Sequence, residues 1–184
     1  MNPSHRALRE ATAAAHARVD TIFAGFDLAD RRSYAAFLAA HADALLPIET
    51  ALDAGGAAAL IPDWPERKRG HLILHDLAHL EHPDQDPPAM PADPAPIAEA
   101  AEVAGALYVL EGSRLGGKML ARRVPPNFPR RYLDSDQPSG SWRTLLDRID
   151  RILCQPARLE RAIASASRAF VAFEQAGRAR SPGN

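Results

Sequence analysis

The chain has 184 residues, 24% of them charged, and 22 Lys and Arg balance 23 Asp and Glu to a formal net charge of −1. That length suits one domain with a sizeable core, and the balance excludes the basic excess that nucleic acid or an anionic membrane demands. A single cysteine, Cys154, excludes an intramolecular disulfide and suits a reducing compartment.

The N-terminus, MNPSHRALREATAAAH, is charged and has no apolar signal-peptide core, and no run of about 18 apolar residues follows it. The expected setting is the cytoplasm, with neither nucleic acid nor membrane as partner. Aromatic residues make up only 6% of the chain. Period-two runs of β-branched and aromatic residues are absent, and stretches of period 3.6 dominate. The chain reads as all-α, with one domain over residues 1–184.

Ser4 can cap a first helix running to about Phe23. A second helix starts near Asp30 and carries Tyr34, Phe37, Leu38, His41 and Leu45 on one apolar face. Pro47 should kink it and Gly55-Gly56 should end it. A third, shorter helix covers about Glu66 to Leu80. HPDQDPPAMPADPAP, residues 82 to 96, is too rich in proline to be helical and reads as a connector. A fourth helix begins near Ile97 and runs to about Val124. PPNFPRRYLDSDQPSGS is a second irregular segment. Two more helices follow, from about Trp142 to Cys154 and from Pro156 to Ala176. The last residues, from about 178 to 184, are expected to fray.

The fourth helix contains EGSRLGGKML, residues 111 to 120. It is one residue short of a phosphate-binding loop, which wants Ser or Thr where Met119 stands. The strands that such a loop connects are not found either. On a helix, Gly105, Gly112 and Gly116 fall on one stripe, within roughly 40° of one another. Each helical glycine costs about 1 kcal/mol relative to alanine, so with Gly117 something must offset roughly 3–4 kcal/mol. Close helix packing or a kink is one explanation. A flat ligand lying against bare backbone is the other. Glu111, Arg114 and Lys118 exclude a membrane dimer motif at Gly112 and Gly116.

His71, His75, His79 and His82 are spaced like a ladder of metal ligands. On a helical wheel, however, they point away from Ile73, Leu74, Leu77 and Leu80, and a solvated face explains them. His41 lies within an apolar face and reads as a hydrogen-bonded core histidine. His16 differs: it sits at the rim of the first helix's apolar stripe, where an imidazole can look into a cleft. Arg9 lies on the same side, about 10 Å back along the axis, and Asp20 sits one turn ahead. An imidazole for iron and a guanidinium for a propionate could together serve a metallated, acid-bearing macrocycle. A partly exposed histidine beside Asp and Arg is the plainer reading.

The first helix, LREATAAAHARVD, and the fourth, ALYVLEGSRLGGKMLARRV, together resemble the bacterial heme oxygenases, above all the biliverdin-producing type found with bacteriophytochromes. YAAFLAAHADALLPIE, FPRRYLDSDQPSGSWRTLL and SRAFVAFEQ extend the resemblance over nearly the whole chain. It implies a single-domain helical bundle with heme between the first, proximal helix and a kinked distal helix. His16 matches the proximal iron ligand. Gly112, Gly116 and Gly117 match the distal glycines, against which heme lies and O₂ and ordered water find room. Arg9 matches a basic position near a propionate, with Lys118, Arg122, Arg143 and Arg148 as further candidates. Where mammalian-type enzymes carry a distal Asp that organises water, this chain aligns Ser113.

The implied reaction is cleavage of heme, at once cofactor and substrate, to biliverdin, CO and Fe²⁺. It uses O₂ and electrons from an external ferredoxin or reductase, for which Arg122, Arg123, Arg130 and Arg131 offer a basic surface. A bacteriophytochrome is the implied recipient of biliverdin. A heme-binding or sensing protein on the same fold, and a helical scaffold without heme, are the other readings.

Overall fold

The computed structural model describes residues 2–80, 96–136 and 140–181. Among them are eight helices and no strand: α1 (Pro3–Phe23), α2 (Arg31–Ala54), α3 (Ala57–Leu60), α4 (Trp64–Arg67), α5 (Gly70–Leu80), α6 (Ala100–Ala121), α7 (Ser141–Ile152) and α8 (Pro156–Arg180). The proline-dense connector lies outside the described residues up to residue 95.

The expected helices are all present, and the differences have local causes. Ser4 sits inside α1. Asn2 takes the cap position and Pro3 the first helical one, where a missing N–H costs nothing. The amide of Ser4 donates instead to Asp150 of α7 at 3.0 Å. Asp30 does cap α2, accepting from the amide of Ser33 at 2.8 Å. The assignment of α2 spans Pro47; Ala44, Leu45 and Ile48 around it are buried, and their packing outweighs one lost backbone bond. Gly56 adopts φ 76°, a left-handed turn that begins α3, a short helix the sequence did not announce.

The third expected helix divides into α4 and α5. Nothing in Lys68-Arg69 can cap α5 locally. The buried carboxylate of Glu49, on α2, takes that role, accepting from the amides of Arg69 at 2.6 Å and Gly70 at 3.1 Å. Burial pushes the Glu49 carboxyl up, and these two amide bonds oppose the shift.

By length and composition α2 is apolar enough to cross a membrane, yet 67% of its most apolar window is buried inside the fold. Tyr34, Phe37, Leu38, Leu45 and Leu52 make it the middle of the core. α8 packs against α1, α2 and α6. It runs past the expected end at Ala176, because Arg180 pairs with Asp43 at 2.6 Å and Gly177 lies under Ile22 and Phe23. Residues 178–180 are therefore helical rather than frayed.

The glycine stripe of α6 turns out to serve two purposes. A Cβ on Gly105 would overlap the carbonyl oxygen of Ala162 on α8, so Gly105 is a packing glycine. A Cβ on Gly116 would meet nothing within 4 Å. Gly105→Ala should therefore lower stability by about 2–3 kcal/mol, because α6 and α8 must move apart. Gly116→Ala should raise the stability of the ligand-free protein by up to about 1 kcal/mol. Urea denaturation of the two variants checks both signs.

Candidate functional site

A cavity of about 710 Å³ opens between α1 and the C-terminal half of α6, a volume in the range of small-molecule and cofactor sites. Thr12, His16 and Val19 form the α1 wall; Gly112, Leu115 and Gly116 form the α6 wall. Phe23, Phe170 and Phe173 add aromatic surface from α1 and α8. At one end His5, Tyr108 and Trp142 meet edge-on or tilted, with ring centroids 5.9–6.0 Å apart. The walls are mostly apolar and carry few polar groups, so each of those groups has a definable task.

His16 Nδ1 lies 2.8 Å from Asp20 Oδ2, one helical turn on. A carboxylate at that distance holds the proton on Nδ1 and leaves Nε2 with its lone pair. The side chains are 61% and 66% exposed, so the imidazole stands at the rim with one nitrogen committed and the other available. The Phe170 ring meets it edge-on at 5.7 Å. Arg9 also lines the cavity and is exposed.

The structure thus gathers His16, Arg9, Gly112, Ser113, Gly116 and Gly117 around one space. Gly117 is partly a packing residue, since a Cβ there would press on the Leu133 carbonyl at 3.1 Å. Lys118 and Arg143 are not among the cavity's lining residues. Lys118 reaches away to Asp136 at 2.7 Å, and Arg143 is exposed on α7. Arg148 is engaged elsewhere, donating to the Leu60 carbonyl at 2.8 Å. Helical phase separates these groups: Lys118 lies two positions past Gly116, about 200° around the helix.

Three further lining residues were not legible as site residues in the sequence: His41, Arg69 and Tyr132. Arg69 is 4% exposed. Its Nη2 donates to the Leu110 carbonyl at 2.7 Å and to Ser113 Oγ at 2.8 Å. The Ser113 hydroxyl in turn donates to Leu110 at 2.7 Å, so its one proton is already engaged. The Arg69 guanidinium also lies over the Tyr132 ring, 5.1 Å from its centroid.

His41 is the hydrogen-bonded core histidine the apolar pattern indicated, with Nδ1 3.0 Å from the Phe37 carbonyl. Phe23, Phe37, Tyr132 and Phe173 surround it. That bond places the proton on Nδ1 and leaves Nε2 as an acceptor beside the cavity. Burial pushes the His41 pKa down to about 4; the bond to Phe37 opposes the shift and the positive charge of Arg69 adds to it.

Of the histidine ladder, His82 lies outside the described residues. His71 is exposed, and His75 and His79 stack at 3.9 Å, with His75 beside Asp76 at 3.3 Å. Among the described residues no group of three or more His, Cys, Asp or Glu could hold a metal ion.

The helical fold is shared with heme oxygenases of known structure, and the likeness is extensive. The chain superposes on the NO- and CO-bound heme oxygenase of Neisseria meningitidis with a TM-score of 0.80 and 20% identity, covering 98% of this chain and 97% of that one. It matches the heme oxygenase of Leptospira interrogans with a TM-score of 0.71 and 17% identity over 96% and 98%. In sequence it is 29% identical over 150 residues to a heme oxygenase of Xanthomonas campestris pv. campestris, across 78% of this chain and 88% of the relative. No family model matches the chain. It has the heme oxygenase fold, and the resemblance to bacterial heme oxygenases read in its sequence is met by these relatives.

The pH response of the ligand-free protein follows from His41. Folded, the ring stays neutral down to about pH 4; unfolded, it takes up a proton near pH 6.5. The unfolded state binds more protons in that window, so stability is complete above it and is lost as pH falls through it. The loss should be on the order of 3 kcal/mol, and His41→Phe should flatten this limb. Thermal melts from pH 7 to pH 4 measure both.

Proposed function

We propose that this protein is a heme oxygenase that converts heme to biliverdin, CO and Fe²⁺ with O₂ and electrons from an external donor. The observation that carries the reading is His16. Its Nδ1 is held by Asp20 and its Nε2 is available, on the wall of a cavity whose opposite wall contains Gly112 and Gly116. The fit is that of a flat macrocycle. An added Cβ at Gly116 would stand in open space, and one at Gly112 would touch only the Trp142 ring, at 3.5 Å. A planar ligand can occupy those places against the bare helix.

Bound heme supplies the iron that takes O₂ and electrons, and the ring that is opened. The chain's residues bind, orient and handle protons. Asp20 fixes the His16 tautomer, so Nε2 is the nitrogen for iron. Neutral imidazole donates less electron density than a thiolate does. Arg9, at the rim, is placed to meet a propionate. Phe23, Phe170 and Phe173 offer the ring aromatic surface on the α1 and α8 side.

On the α6 side the Ser113 proton is committed to Leu110, so Ser113 contributes an orienting oxygen for Arg69 more than a free donor. Arg69 brings N–H donors and His41 an acceptor to the same cavity, a set that suits ordered water and proton delivery. The cytoplasm is the proposed setting and a bacteriophytochrome the proposed recipient of the biliverdin.

Hemin titration of the purified protein should give a saturable Soret band, strongly weakened or shifted in His16→Ala. Ascorbate, or ferredoxin with its reductase, should bleach it under air to a verdin spectrum. A stable band that never bleaches would leave a heme-binding protein on the same fold, and no band would overturn the reading. Arg122 and Arg123 are exposed at the end of α6 and offer docking charge to an acidic donor. Charge reversal of both should lower ferredoxin-driven turnover severalfold, more at low salt, and leave hemin affinity unchanged.

A further inference from the structure

A second cleft, of about 440 Å³, lies beside the first. Arg69 lines both. Lys68, Arg114, Arg130 and Arg131 add positive charge to the second cleft, against Glu66, Asp134 and Asp136. Two of these cations are built into the fold: Arg69 is 4% exposed and Arg114 5%. Arg114 is compensated by Glu111 at 3.0 Å, and it also donates to Ser135 at 3.3 Å and to the Arg67 carbonyl.

Arg69 has no such partner. It forms no salt bridge among the described residues; its Nη2 bonds are to a carbonyl and a hydroxyl, and Nε and Nη1 donate to neither backbone nor side chain. The described side-chain atom that is both sealed and unpaired is Ser141 Oγ, so the idle Arg69 nitrogens open on a cleft. The electrostatic counterpart of Arg69 is the buried Glu49 carboxylate, whose oxygens the Arg69 and Gly70 amides already hold, and a guanidinium this buried still gains from an anion that reaches its idle nitrogens. Of the cleft's carboxylates, Asp136 pairs with Lys118 at 2.7 Å, and Glu66 and Asp134 are exposed; none forms a salt bridge with Arg69 among the described residues.

We propose that the second cleft is a binding site for a small oxyanion, a phosphate or a short dicarboxylate. Arg69 and Arg114 form its fixed base and Arg131 its solvent-facing arm, while Lys68, paired with Asp53 at 2.6 Å, adds positive charge at the edge. Planar guanidinium groups suit two-point recognition of such oxygens. Arg69 is shared by the two clefts, but Lys68, Arg114, Arg130 and Arg131 line this one alone, so the site does not rest on the heme reading.

The test is an amide NMR titration of the purified protein, with sodium phosphate replacing sodium chloride at constant ionic strength and a parallel arm in succinate. Saturable shifts should appear at residues 66–72 and 130–136. Their midpoint should weaken at least tenfold in a Lys68→Ala, Arg131→Ala double variant, both positions being outside the core. Asp134→Asn should tighten binding about threefold. Saturation in only one arm supports the site and assigns it to that oxyanion. Linear shifts in both arms, or midpoints that none of these substitutions moves, would overturn it. Soret titration of the same variants reports separately on heme, so failure of one reading is distinguishable from failure of the other.

Discussion

The contact on which the rest depends is the approach of α6 to α8 at Gly105. There the backbone of Ala162 occupies the space a side chain would fill. That contact anchors the N-terminal half of α6, where Val103, Ala104, Leu107 and Leu110 are buried. Its C-terminal half is then carried out of the core and over α1. Ser113, Leu115, Gly116 and Met119 are no longer buried, and the glycines that follow face a cavity. One helix thus supplies a core strut and a cavity wall, and the change occurs within one turn, between Leu110 and Ser113.

That turn is secured by buried charge. Glu111, 1% exposed, accepts from Arg67 at 2.7 Å and from Arg114 at 3.0 Å, which ties α4 to α6. The carbonyl one residue earlier, on Leu110, accepts from Arg69. Such groups are weak evidence for net stability, because desolvation offsets most of the attraction. They do penalise alternatives: a slip of α6 by one residue would strand two arginines and a glutamate in the interior. Specifying the position of α6 is the role that geometry supports, and the site needs that position more than it needs extra stability.

Most of this was legible because it is periodic. The apolar stripes of α1, α2 and α6 gave the helices, and the glycines of α6 pointed to contact with something other than side chains. What the wheel could not resolve is which neighbour each glycine meets. Gly105 and Gly116 share a stripe, yet one faces α8 and the other a cavity, because a stripe on an 11-residue span crosses more than one partner. Lys118 and Arg143 carry the charge expected near a propionate but project elsewhere. Arg69 was hidden for the opposite reason. In Arg67-Lys68-Arg69 it reads as a solvated basic run, and only the turn between α4 and α5, capped from a distance by Glu49, drives it inward.

The cavity also explains where the fold accepts cost. Gly112 and Gly116 weaken α6 by about 1 kcal/mol each. Leu115, at 61% exposure, leaves apolar surface in water on the same wall, and His16 stands exposed opposite it. None of this improves a protein that binds nothing. A planar apolar ligand would change the balance by covering Leu115, filling the space beside Gly116 and desolvating an imidazole whose Nδ1 Asp20 already holds. The hydrophobic gain would then fall in the bound state, at about 25 cal/mol per Å² covered, with the open cavity of the ligand-free protein the corresponding cost in stability.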